Sequence, residues 1–345
     1  MQRICTSLAE NGYAVTLVGR RLRSSLPLTE RKYKQKRIRC WFNKGKLFYY
    51  EYNLRLSNYL LLHKMDAICA IDLDTMIPCH SASVFKRIPR IYDAHELFTE
   101  LKEVITRPFV KRMWKMVEKL VPKFKWGYTV SESIAEEFKR RYKVNYETIR
   151  NVPVLVPPDG MQTTRDFILY QGAVNEARGF ESLIPAMQWI NTKLVICGDG
   201  NFMPQLKKLI AEHKLESKIE LKGMLPPDEL RKITQQATIG ISLAEKEGLN
   251  QWLALPNKFF DYVHASLPQV TMNYPEYQKI NKEFEVAVLI DDLDPKNIAD
   301  AINNLLTNTV LYDRLKENCK KASQVFNWQN EEKKLLSFYQ SVFKK

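Results

Sequence analysis

Residues 167–200, FILYQGAVNEARGFESLIPAMQWINTKLVICGDG, decide how this chain folds. Phe167–Gln171 is an apolar run that stops at Gly172. A helical pattern follows from Arg178-Gly179, and a second apolar run, Lys193–Cys197, stops at Gly198-Asp199-Gly200. Strand, helix and strand in so short a span make the unit of a parallel sheet. Downstream the rhythm continues as KIELKG, IGISLA, LPQVTM and VAVLI, with helical patterns between the strands. Upstream it is present already in AVTLVGR (Ala14–Arg20), RIRCWF, AICAID, RIYDA and GYTV. The rhythm breaks at RNVPVLVPPDGMQTTRD, where three prolines and a glycine without periodicity predict a linker around Val156–Arg165.

A chain of 345 residues is long for one core and suits two domains. The expected class is therefore α/β, with two doubly wound parallel-sheet domains over 1–155 and 156–325. At the end, 326–345 forms a helix whose Trp328, Leu335, Leu336, Tyr339 and Val342 fall on one face. No apolar run reaches the roughly 18 residues of a membrane span, and the start lacks the apolar block of a secretory leader. The six cysteines contain no Cys-x-x-Cys pair, which argues against a zinc ribbon or disulfide scaffold and suits the cytoplasm.

Charge is unevenly placed. Residues 1–150 hold 30 Lys and Arg against 15 Asp and Glu, whereas 151–345 hold 23 against 24. The densest stretch, Arg20–Lys46, has eleven basic residues opposed by Glu30 alone. Such a field keeps a protein soluble and attracts nucleic acid, an anionic membrane or a phosphorylated substrate. Nucleic acid is disfavoured, because the aromatic–basic interleaving of single-strand grooves is missing.

The opening QRICTSLAENG reads as a helix, although a Rossmann-like half begins with a strand at the middle of its sheet. The first strand is thus expected to be missing, with the natural chain starting upstream of Met1.

Three glycine-containing turns lie at successive strand ends in the second half. Glycines there let a ligand approach the backbone, and helix N-termini with Arg or Lys favour a phosphate. Asp261, in the first turns of a later helix, could accept hydrogen bonds from sugar or ribose hydroxyls. In YQGAVNEARG, KLVICGDG, ELKGMLPPDELRKI and NKFFDYVHASLP the chain resembles the family-four, group 1 retaining glycosyltransferases, over nearly its whole length. YDAHELF, YTVSESIAEEF, IRNVP and FNWQNEEKKLLSFY are similar to the same family's first domain and terminal helix.

That resemblance implies the GT-B fold, two Rossmann-like domains facing across a cleft, with the terminal helix packing back toward the first. It implies transfer of a hexose-type sugar from a nucleotide-diphosphate donor, with retention and without metal or cofactor. The pathway expected is cell-surface polysaccharide or glycoconjugate synthesis, with a lipid-linked or anionic acceptor at the inner face of the membrane. By the same resemblance His95 and Glu247 are the catalytic candidates. Gly172, Arg178, Gly198, Gly200, Met224, Asn250, Lys258 and Asp261 are the donor-binding ones.

The chain departs from the family's pattern at three places. Ala173 stands where the family has a phosphate-binding Arg, and Asp261 where it has Glu. Thirteen residues separate Glu247 from Asp261 instead of seven, so Asn250 competes with Glu247. Lys258 is expected to restore the cation missing at Ala173. Asp72-Leu73-Asp74 imitates a metal-binding Asp-x-Asp, but no histidine or carboxylate cluster in the sequence supports a metal there. Ser131 and Ser133 are both assigned to capping, Ser133 with Glu136 as a capping box. The helix PFVKRMWKMVEKLVPKF carries a stripe of Phe109, Met113, Met116 or Val117, and Leu120, flanked by Lys111, Arg112, Lys115 and Lys119, suited to a core or to an anionic membrane. The rival readings are a nucleotide-sugar epimerase on the same scaffold, a basic nucleic-acid-binding protein and a non-catalytic relative.

Overall fold

The computed structural model describes residues 1–156 and 166–344, so the expected linker lies, except for Val156, outside the described residues. The chain forms two compact units, Met1–Arg150 with Glu331–Lys345, and Asn151–Asn330.

The first unit opens with the helix Gln2–Glu10 and contains β1 (Thr16–Arg21), β2 (Lys34–Arg39), β3 (Ile68–Ile71), β4 (Arg90–Ala94), β5 (Trp126–Thr129) and β6 (Glu147–Thr148). Every pairing is parallel. The strands form two sheets, β1-β2 and β3-β4-β5-β6, and no ladder joins β1 to β3 among the described residues. The break falls where a doubly wound sheet would carry its first strand. The β2 strand ends earlier than RIRCWF suggests. The backbone N–H groups of Trp41 and Phe42 donate to the Glu51 carboxylate, at 2.9–3.0 Å, and not to a neighbouring strand.

Tyr92, Tyr128, Phe124 and Ile134 fill the core of this unit. The terminal helix, Trp328–Phe343, joins it from Glu331 onward. Its Phe338 ring meets Tyr128 edge-on at 5.3 Å and Trp126 at 6.1 Å. The buried stripe is Leu335, Phe338, Tyr339 and Val342, and Leu336 is only half-buried. Spacing of 3, 4 and 7 from Leu335 defines one helical face, and Leu336 is turned about 100° away from it. Of the two serines assigned to capping, one holds that place. Ser131, not Ser133, caps the helix Glu132–Tyr142, its hydroxyl accepting from Ile134 N at 3.3 Å, while Ser133 lies inside the helix.

The second unit contains β7 (Phe167–Gln171), β8 (Lys193–Cys197), β9 (Ile219–Gly223), β10 (Ile239–Ser242), β11 (Gln269–Met272) and β12 (Ala287–Ile290). All are parallel, in the order β12-β11-β10-β7-β8-β9. β10 and β11 are buried along their whole length, as strands covered by helices on both faces must be. Strand order reverses between β7 and β10. In open α/β sheets ligands bind beyond the carboxyl ends of the strands at such a reversal.

Candidate active site

Because the six strands of the second unit run parallel, their carboxyl ends gather at one edge the loops from Gly172, Gly198, Gly223 and Leu243. Gly172 takes φ +123°, closed to most side chains, and a Cβ there would meet nothing within 4 Å. Its surroundings are open. Gly198 and Gly200 are crowded instead. A Cβ would come within 1.8 Å of the Gly172 carbonyl oxygen at the first and 2.2 Å of the Val174 oxygen at the second. Both serve to bring the two loops together, and Val174 N donating to Asp199 O at 3.0 Å continues the contact.

Arg178 precedes Gly179, which begins the helix Phe180–Ala186 in the left-handed conformation at φ +72°. The loop after β10 is tied to the same place. Ala177 O accepts from Glu245 N at 3.1 Å and from Gln251 Nε2 at 3.0 Å. Glu247 stands at the N-cap position of the helix Gly248–Leu253, half-buried, and Asn250 is buried within that helix. That helix accounts for the long interval between Glu247 and Asp261.

Lys258 is the second residue of the helix Asn257–His264. Its ammonium is buried, lies 3.7 Å from the centroid of the Tyr170 ring and has no hydrogen-bond partner among the described residues. The Tyr170 hydroxyl in turn donates to the Ala173 carbonyl at 2.8 Å, so Lys258 packs beneath the loop that carries Ala173. Burial, and then the charge of Arg178, hold the Lys258 ammonium well below the ordinary lysine range. Arg178 itself is half-buried, near enough for its charge to act on Lys258. Asp261, one turn beyond Lys258, accepts from Gln171 Nε2 at 2.9 Å, and Gln171 Oε1 accepts the Thr234 hydroxyl at 2.7 Å. Met224 is exposed, following Gly223 at the end of the edge strand β9.

In the first unit His95 follows β4. Its backbone N–H donates to Asp72 Oδ1 at 2.9 Å, and its Nε2 lies 3.2 Å from Asp93 Oδ1. Asp93 is held on its other oxygen by the Tyr128 hydroxyl at 3.0 Å. Asp72 occupies the left-handed region at φ 52°, its own N–H donating to Asp93 O at 2.9 Å. Burial pushes the Asp72 carboxyl up to about 7, against the opposing pull of His95. Burial draws His95 down, but its hydrogen bond and charge pairing with Asp93, aided by Asp72, leave it raised.

The sequence reading set Asp72 aside for want of a neighbouring histidine, and the β3–β4 register supplies one from 23 residues away. No group of three metal-ligating side chains forms among the described residues. Sequence reasoning also passed over Tyr170 and Gln171, the last two residues of β7. Their place beside a glycine-ended strand was the available signal.

Comparison with known proteins agrees with this architecture. Residues 1–159 match the family model described as Glycosyltransferase Family 4, and residues 156–322 the one described as Glycosyl transferases group 1. Together they cover nearly all of the chain, and the chain belongs to the group 1 glycosyltransferases. An uncharacterised glycosyltransferase of Methanocaldococcus jannaschii is 26% identical over 187 residues, 52% of this chain and 46% of that protein. The chain spans less than half the length of the curated relatives it matches.

Among solved structures, sucrose-phosphate synthase from Thermosynechococcus elongatus superposes with a TM-score of 0.80 at 16% identity, covering 99% of this chain and 92% of that one. HepE of Anabaena, solved in complex with UDP and glucose, gives 0.73 at 14% identity, covering 90% and 87%. These likenesses show the fold, which is GT-B with two Rossmann-like α/β domains.

Proposed function

We propose that the chain transfers a sugar from a nucleoside-diphosphate donor to an acceptor with retention of anomeric configuration, in the synthesis of a polysaccharide or glycoconjugate. The observation that carries this reading is the buried, unpartnered ammonium of Lys258 at the sheet reversal, within reach of the Arg178 charge. A buried ammonium with only an aromatic face for company is costly, and an anion that reached Lys258 and Arg178 together would relieve that cost. A diphosphate has the charge and the span to do so. The complex of HepE with UDP and glucose supports a nucleotide-sugar donor for a protein of this fold.

In this reading Gly172 leaves room for the diphosphate, and Asp261, already oriented by Gln171, accepts the ribose hydroxyls. Met224 lies beside the base, and Glu247 or Asn250 contacts the donor sugar. Gly198 and Gly200 act indirectly, by fixing the loops. Breaking the anomeric carbon–oxygen bond delivers negative charge to the diphosphate, and preorganised cations stabilise that charge where it develops. The acceptor oxygen bonds to the face that the diphosphate leaves, and its proton passes to the departing phosphate oxygen. Arg178 and Lys258 take the part a metal plays elsewhere, so the reaction is metal-independent and needs no resident cofactor. His95, held by Asp93, acts at the reacting centre, with Asp72 as its electrostatic partner.

A melting-temperature screen against ADP, GDP, UDP and dTDP tests the reading. A bound ligand at 100 times its Kd adds about 2.7 kcal/mol. At least one nucleotide is expected to raise the melting temperature of the wild type and to leave Arg178→Ala unmoved. If no nucleotide shifts the wild type, or the shift survives in Arg178→Ala, the reading fails.

A further inference from the structure

The helix Gly45–Leu62 is apolar on two opposite faces. Tyr52, Leu56 and Leu60 are buried in the first unit, while Leu47, Tyr50 and Leu54 face outward and are exposed, Tyr50 to 72%. A globular surface helix has one apolar stripe, and a second one needs a partner. The neighbouring helix Pro108–Glu118 has no buried residue at all, and its Phe109, Met113 and Met116, spaced as one face, are exposed.

The two helices are joined. Lys46 Nζ lies 3.9 Å from the Phe109 ring centroid, and the Tyr49 and Trp114 rings meet edge-on at 5.2 Å. Trp114 also packs inward on Phe98 at 4.7 Å, which fixes the apolar face of its helix outward. The loop between β2 and the helix Gly45–Leu62 adds Trp41, 81% exposed.

The charge around this surface is one-sided. The helices contain one carboxylate each, and both are engaged away from the outward faces. Glu51 is buried and accepts from the N–H groups of Trp41 and Phe42. Glu118 Oε1 accepts the Thr99 hydroxyl at 2.7 Å. Lys44, Arg112, Lys115 and Lys119 are exposed beside the apolar stripes. Arg20 and Arg55 lay their guanidinium groups over Phe48 and Trp41, at 3.9 and 4.8 Å from the ring centroids. Apolar and aromatic side chains flanked by cations, with no outward carboxylate on either helix, match the interface of an anionic bilayer. No helix among the described residues is long and apolar enough to cross a membrane, so contact would be superficial.

We propose that the outward faces of Gly45–Leu62 and Pro108–Glu118 dock the protein on an anionic lipid surface, the apolar side chains entering the headgroup region and the lysines and arginines lying among the lipid phosphates. This inference concerns the first unit and is independent of the donor reading.

Flotation of the full chain with vesicles tests it. The chain is expected to float with phosphatidylcholine vesicles containing about one-third phosphatidylglycerol, to stay largely unbound with phosphatidylcholine alone, and to be released by salt. Two variants, Leu47→Gln/Phe109→Gln/Met116→Gln and Lys115→Glu/Lys119→Glu, are each expected to weaken binding by about tenfold or more. Both change exposed residues, so their melting temperatures should match the wild type.

Failure of the wild type to float with anionic vesicles at low salt overturns the proposal. Binding that survives the apolar triple substitution overturns it as well, because cations alone would then suffice. So does a wild type that is dimeric by light scattering and becomes monomeric in that variant, since the occupant would then be a second copy of the chain.

Discussion

Lys258 holds the densest information in the molecule, because its chemistry conflicts with its surroundings. A lysine kept buried without a hydrogen bond lowers stability, and replacing such a group with an apolar one of similar volume is often stabilising. Lys258→Met is therefore expected to raise unliganded stability by about 1 kcal/mol and to abolish the nucleotide-induced rise in melting temperature. A less stable variant that keeps the nucleotide response would contradict the role assigned to it. The direction of its pKa adds a second test. An incoming diphosphate favours the charged form, so binding should take up a proton and weaken as pH rises. Calorimetry in buffers of different ionisation enthalpy measures that uptake, which Lys258→Met should remove.

Asp72 is shifted in the opposite direction. Its carboxyl is raised from 3.8 to about 7 in the folded chain, so the folded state holds the proton more tightly than the unfolded one. That contribution is complete below pH 3.8 and is lost as pH rises through about 7. Asp72→Asn keeps an acceptor for His95 N and should flatten this decline, gaining on the order of 1–2 kcal/mol relative to the wild type at the upper end. Melting curves of the two proteins that run parallel between those pH values would rule it out. The local Asp72-Leu73-Asp74 pattern pointed only toward a metal, because what matters about Asp72 is its partner His95, and strand register places that partner.

At the scale of elements, the paired strands β7 and β8 were readable because apolar runs and terminal glycines state both the strand and its end. What the glycines do was not readable. Gly198→Ala drives a methyl group into the Gly172 carbonyl at φ +150°, and should cost about 3 kcal/mol. Gly172→Ala meets no atom within 4 Å, and should cost about 1–2 kcal/mol in backbone strain while also weakening nucleotide binding. Urea unfolding ranks the two directly. Equal costs would mean that the crowding at Gly198 is relieved by movement of the loops. The terminal helix teaches a similar lesson. Its existence followed from periodicity, but a stripe drawn through Leu336 instead of Phe338 missed the residue that meets Tyr128. Phe338→Ala should cost about 3–4 kcal/mol, against little for an exposed position such as Gln340→Ala.

Over the whole molecule, the alternation of strands and helices and the skew of charge were both visible before any coordinates. Two units, six parallel strands in the second and an interrupted sheet in the first follow from that alternation and from the opening helix. The apolar stripe of Pro108–Glu118 was readable too, but the outward face of Gly45–Leu62 was not, because a helix apolar on both faces shows no net amphipathic pattern in its sequence. The same limit hid the pairing of Lys258 with Tyr170, 88 positions apart in a numbering that says nothing of packing.

The central claim is that the reversal point of the second sheet binds a diphosphate through Lys258 and Arg178. The most direct measurement is a crystal structure with whichever nucleoside diphosphate raises the melting temperature. The account expects phosphate oxygens within hydrogen-bond distance of Lys258 Nζ and the Arg178 guanidinium, with Asp261 on the ribose. A nucleotide bound elsewhere, with the Lys258 ammonium still resting on the Tyr170 ring, would contradict it.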